Sequence, residues 1–128
     1  MTCRRYPVLN NKTNIHNSDL RALIKGAVDY KNAHRLVREV GVQYTKSKMC
    51  KGEAWGDEHR LVVLHVPRDF CGHGGCRDQL AQVIEHEIDH AAFNLDHNKM
   101  EHKGAWWMLD VNWAADLTLR TSYQHGAR

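Results

Sequence analysis

The chain has 128 residues, 42% of them hydrophobic and 26% charged, with a formal net charge of +3. That length suits a single domain spanning 1–128, and the composition excludes a disordered chain and leaves no room for a second sizeable core. No apolar run reaches the length of a membrane span, and Met1–Pro7 lacks the apolar centre of a secretion signal. No dense Lys/Arg run appears, so a nucleic-acid partner is not indicated, a membrane partner is not expected, and the cytoplasm is the expected location.

In chain order, residues 1–16 have no clear period and predict an extended lead-in. Ser18 or Asn17 can cap a helix that begins at Asp19 and carries the stripe Leu20, Leu23, Ile24, Ala27 and Val28. Leu36, Val37 and Val40 continue the stripe as one long helix or two short ones, ended near Gly41. Val42–Thr45 alternates as a strand, Lys51-Gly52-Glu53 is a turn signal, and His59–Val66 is a buried strand closed by Pro67. A glycine-rich loop, Phe70–Cys76, leads into a helix from about Asp78 to Phe93, with Asn94 as its left-handed stop. A polar stretch from His97 to Lys103 precedes a closing helix that starts near Gly104 and runs through Trp106, Leu109, Trp113 and Leu119. The expected fold is α+β, a small sheet covered on one side by helices.

The Asp78–Phe93 helix contains His86-Glu87-Ile88-Asp89-His90, an H-E-x-x-H pattern. Residues four apart share a helix face, so His86 and His90 can hold one metal ion between them. Glu87 lies one step round, beside the ion and not needed as a ligand, and is free to take a proton from a water on the metal. Two imidazoles and a general base are the parts of a zinc hydrolase. Leu80, Val83, Ile84, Glu87, Ile88 and Ala91 follow helical spacing, so the motif sits on an amphipathic helix. A catalytic zinc takes a third protein ligand, and Asp96, His97 and His102 are the candidates.

The stretch His102-Lys103-Gly104-Ala105-Trp106-Trp107-Met108-Leu109 resembles the SprT-like minimal zincins. In that family H-E-x-x-H is followed, after a short insert, by a His that opens the next helix, then by an aromatic residue four positions on and by Met or Leu. The resemblance covers roughly Leu61 to Val111. It implies a zinc-dependent metallopeptidase with a gluzincin- or metzincin-like core, Zn2+ on His86, His90 and His102, Glu87 as general base, and a protein or peptide substrate. Ala91–His97 also resembles the metzincin pattern H-E-x-x-H-x-x-G-x-x-H, with Asn94 at the glycine. His97 falls one residue beyond that register, which places Asp96 at the ligand position. The order of preference for the third ligand is therefore His102, His97, Asp96. No zinc ribbon of paired C-x-x-C motifs follows, so action on DNA-bound proteins, a role of some of that family, is not expected.

Cys71, His73 and Cys76 could form part of a structural zinc site, which would need Cys50 or Cys3 to complete it. A flexible glycine loop bordering the site, or a Cys71–Cys76 disulfide, are the other readings, and reduced thiols are preferred without a secretion signal. No local pattern singles out a cysteine nucleophile. His65, alternating within a buried strand, is expected to be a satisfied core histidine. Two further functions stay open: a non-catalytic zinc-binding regulatory or partner-binding module, and a metal-dependent hydrolase of a non-peptide substrate.

Overall fold

The computed structural model describes residues 5–70 and 74–95. The elements run β1 (Val8–Asn11), α1 (Asn17–Lys31), β2 (Glu39–Thr45), β3 (Lys51–Trp55), β4 (Leu61–Pro67) and α2 (Gly74–Phe93). The four strands form one sheet in the order β1-β2-β4-β3. β1, β2 and β4 are parallel, and β3 runs antiparallel to β4 along one edge. The α+β fold expected from the sequence is present, with two helices and four strands among the described residues.

Strand alternation decides which side of the sheet is buried. Val40 pairs with Val62 and Val42 with Leu64. These four and Val66 are each at most 1% exposed. Both helices cover this face. α1 supplies Leu20, Leu23, Ile24, Ala27 and Val28, and α2 supplies Leu80, Ala81, Ile84, Ile88 and Ala91, all in one core cluster. The helices also touch each other. The alternate residues Gly41, Gln43, Val63 and His65 occupy the other face and are half-buried.

Several elements differ from the sequence-based expectation. The lead-in contains β1, whose four residues pair with β2; its pairing with a neighbouring strand, and not its own pattern, makes it a strand. Helix α1 begins two residues before Asp19, and His16 precedes it without a side-chain cap. The helix does not continue to Val40. Asn32 adopts a left-handed φ of 52°, its N–H donates to the Asp29 carbonyl at 3.1 Å, and the Ala33 N–H donates to the Val28 carbonyl at 2.9 Å. This Schellman-type closure satisfies the last carbonyls. Val37 is buried in the connection that follows, and Val40 lies in β2. Gly41, expected to stop the helix, sits inside β2 with room for a Cβ. The Lys51-Gly52-Glu53 turn is part of β3. Asn94 has a φ of 53° and ends α2 as expected, its N–H donating to the His90 carbonyl at 3.2 Å. The closing helix expected from Gly104 lies outside the described residues.

One ion pair links the end of α1 to the middle of α2. Lys31 Nζ lies 3.1 Å from Asp89 Oδ2, with the two side chains 12% and 4% exposed. Removing one partner of a buried pair leaves an uncompensated charge, which costs more than the intact pair contributes. Lys31→Ala should therefore lower unfolding free energy by roughly 3 kcal/mol, measured by urea denaturation, whereas a loss below about 1 kcal/mol would mark the pair as solvated.

Candidate metal centre

Helix α2 carries the H-E-x-x-H residues on successive faces. His86 and His90 are half-buried. Their rings meet edge to face, with centroids 4.9 Å apart and planes at 77°. Two imidazoles four residues apart on one helix face could act as donors to a single ion. Glu87 points the other way, toward the sheet, and is 7% exposed.

The position of Glu87 follows from β3. Its side chain packs directly on Gly52, where a Cβ would lie 2.8 Å from both the Glu87 Cδ and Oε2. No residue other than glycine leaves room for that carboxylate. Gly56, four residues on, approaches the other end of the helix: a Cβ there would lie 2.7 Å from the Asn94 Oδ1 and 3.6 Å from the His90 carbonyl oxygen. Ala54, between them, packs against the core. The face that β3 and the residue following it turn to α2 is thus Gly-Ala-Gly at strand period, and the helix lies close against it. At the head of β3 the Cys50 N–H donates to the Gln79 Oε1 at 2.9 Å, a further tie to α2.

Burial raises the Glu87 carboxyl to a pKa of about 7, and the negative charge of Glu53 on the same strand adds to the rise. Glu53 is itself held by His65, whose Nε2 is 2.9 Å from the Glu53 Oε2. The other ring nitrogen of His65 is 3.2 Å from the Gln43 Nε2. His65 is therefore hydrogen-bonded at both nitrogens, as expected of a structural histidine, though on the sheet face away from the helices. Gly52, Glu53 and the Lys31–Asp89 pair were not among the sequence-based candidates. The small residues at 52, 54 and 56 were the available signal, a period-two stripe that a turn does not need.

Among the described residues no three His, Cys, Asp or Glu side chains form a group that could hold a metal. The helix brings together two imidazoles, fewer than the three protein ligands a catalytic zinc takes. The three candidates for the next, Asp96, His97 and His102, lie outside the described residues, as do Cys71 and His73. Cys76, in the first turns of α2, is disulfide-bonded. This corrects the expectation of a reduced thiol at Cys76, whereas Cys50 is reduced as expected. It also bears on the proposed structural zinc at Cys71, His73 and Cys76, because a disulfide sulfur has no thiolate to give a metal. Among the described residues no helix is long and apolar enough to cross a membrane. No protein-family profile, curated protein or solved structure matches the chain.

Cys50 is a free thiol, 7% exposed, and burial pushes its pKa up to about 11. A nucleophile needs the opposite shift. Because the folded state holds this proton more tightly than the unfolded chain, the associated stability is complete below pH 9.0 and is lost as the pH rises toward about 11. Wild type should lose stability more steeply than Cys50→Ala across that window in pH-dependent denaturation. Parallel curves would mean that the thiol titrates as if in water.

Proposed function

We propose that the chain is a zinc-dependent metallopeptidase with Glu87 as its general base. The observation that carries this reading is the seating of the Glu87 carboxylate on Gly52, one residue along the helix from His86, whose ring meets that of His90. A metal site that served folding alone would not need a carboxylate packed into a gap that only glycine leaves open. The donor set fits Zn2+, with His86 and His90 as two ligands and His102 as the third, ahead of His97 and Asp96.

When bound, zinc supplies Lewis acidity and a water acidic enough to give up its proton near neutral pH. Glu87 accepts that proton. The packing against Gly52 restricts its rotamers and holds the carboxylate at β3. Glu87 then returns the proton to the amine nitrogen that leaves when the peptide bond breaks. Edge strand β3 presents backbone N–H and C=O groups along its outer side, which suits an extended peptide that pairs as a further strand. A peptide is therefore the preferred substrate over a small molecule, and catalysis the preferred role over a purely regulatory zinc module.

The first test is metal content. Purified protein should carry about one zinc per chain, and His102→Ala should weaken it; retention of full affinity in that variant would transfer the role to His97 or Asp96. Glu87→Gln should keep the zinc and lose peptide hydrolysis by at least about a hundredfold, and a variant that cleaves like wild type would remove Glu87 from the base role. Gly52→Ala should keep zinc as well, because the clash is with a side chain that can rotate. The displaced carboxylate should cost roughly tenfold to a hundredfold in kcat, read from steady-state kinetics on a peptide substrate.

A further inference from the structure

β3 is the edge of the sheet, and among the described residues its strand partner is β4 alone. The backbone groups on its free side are a template for one more strand. Its two faces differ. Gly52 and Ala54 turn toward α2, where Gly52 meets the Glu87 side chain and Ala54 packs on the core. Lys51, Glu53 and Trp55 alternate with them on the opposite face of the sheet, and all three are exposed.

Each member of that row has a different status. Lys51 stands opposite His65 in the ladder and makes no ion pair or ring contact among the described residues. Glu53 is engaged: the His65 Nε2 lies 2.9 Å from its Oε2, and the other ring nitrogen of His65 is held by Gln43 at 3.2 Å. Trp55 is 42% exposed and makes no ring contact among the described residues. Along the strand the row is a free cation, an engaged carboxylate and an open indole.

An edge strand that only avoids pairing carries charge or a break in its regularity. Lys51 fits that use and Trp55 does not, because a large apolar side chain on an open edge favours a partner. Residues directly opposite on one face of neighbouring strands interact through their side chains. Opposite charges and aromatic pairs are favourable there, and like charges are unfavourable.

We propose that β3 selects extended peptides with an acidic side chain opposite Lys51 and an aromatic side chain opposite Trp55, four positions apart, and no acidic residue opposite Glu53. The choice of a peptide as occupant rests on the metallopeptidase reading, whereas the preferred side chains follow from the strand itself. The two recognised side chains would lie on the sheet face away from α2. Those that alternate with them would lie on the face that α2 covers. Recognition and the proposed hydrolysis thus use opposite faces of one added strand.

The probe is a short fluorescent threonine-rich peptide with one aspartate and one phenylalanine four positions apart. Its binding is read by anisotropy on the Glu87→Gln chain, so that hydrolysis does not consume it. Three control peptides replace the aspartate with lysine, replace the phenylalanine with alanine, or set the two residues three positions apart, which puts them on opposite faces. Wild-type cleavage of the same peptides is followed in parallel. The matched peptide should bind roughly threefold to fivefold more tightly than each control. Lys51→Glu should invert the preference between aspartate and lysine, and Trp55→Ala should erase that between phenylalanine and alanine. Lys12→Glu, just beyond β1 at the other edge of the sheet, should change neither. The peptide series needs no substitution in β3, so a misfolded variant cannot imitate its result. Equal binding of all the peptides, or of none, would overturn the proposal, and cleavage of them all would then leave the metallopeptidase reading standing. Matched binding without cleavage by wild type would support the β3 preference and remove the hydrolysis. Dimerisation that Lys51→Glu abolishes, with no peptide bound, would overturn the proposal and assign the edge to a second copy of the chain.

Discussion

The candidate site depends on how closely helix α2 can approach edge strand β3. Side chains on a strand ordinarily hold a covering helix away from the sheet. At Gly52 and Gly56 they are missing, and at Ala54 there is only a methyl group. The space released at Gly52 is filled by the Glu87 side chain, and that at Gly56 by Asn94, whose left-handed backbone ends the helix. The strand therefore fixes both the middle and the end of the helix that carries His86 and His90. Any side chain at position 52 would compete with a carboxylate, not with an apolar neighbour. The constraint acts on the candidate base more directly than on the core.

Helix α2 bears an unusual load of buried charge. Arg77, Asp78, Glu85, Glu87 and Asp89 are all nearly covered. Burial of a charge is unfavourable unless it is paired or hydrogen-bonded. Asp89 has Lys31, which reaches it from the end of α1. Glu87 responds differently: burial and the charge of Glu53 raise its pKa, so proton uptake is accessible near neutrality. A helix selected for stability alone would place apolar side chains at such positions. Local rules broken in this way, on the helix that carries the H-E-x-x-H spacing, are what the proposed peptidase reading would require of that helix.

The same architecture explains why the two ends of the parallel strands differ in character. At the start of β2 and β4, neighbouring strands bring Arg38 and Arg60 into register, and the loop from α1 adds Arg35. None of this requires a basic sequence run. A parallel sheet aligns residues that are distant along the chain, so charge separated by more than twenty positions becomes local. The proposed metal site uses the opposite strategy: His86 and His90 are close in sequence and are brought onto one face by helical periodicity alone.

That contrast separates what the sequence determined from what the tertiary structure decided. The H-E-x-x-H helix, its stop at Asn94, the buried strand through Leu61–Leu64 and the one-sided α+β arrangement were legible because each rests on a local period or a local backbone preference. The shared face of His86 and His90 needs no partner element. Other features depend on neighbours. β1 is too short to show a period and exists as a strand because β2 pairs with it. Val40 fits a helical stripe as well as a strand, and the Asn32 turn assigns it to the strand. Lys51-Gly52-Glu53 carries a turn's composition, but the glycine is there for an approaching carboxylate, which no window along the chain contains. The Lys31–Asp89 pair and the approach of Arg38 to Arg60 are likewise encounters between distant segments. Local sequence sets the conformational preference of each segment, whereas the contacts that select among those preferences form only when the segments meet.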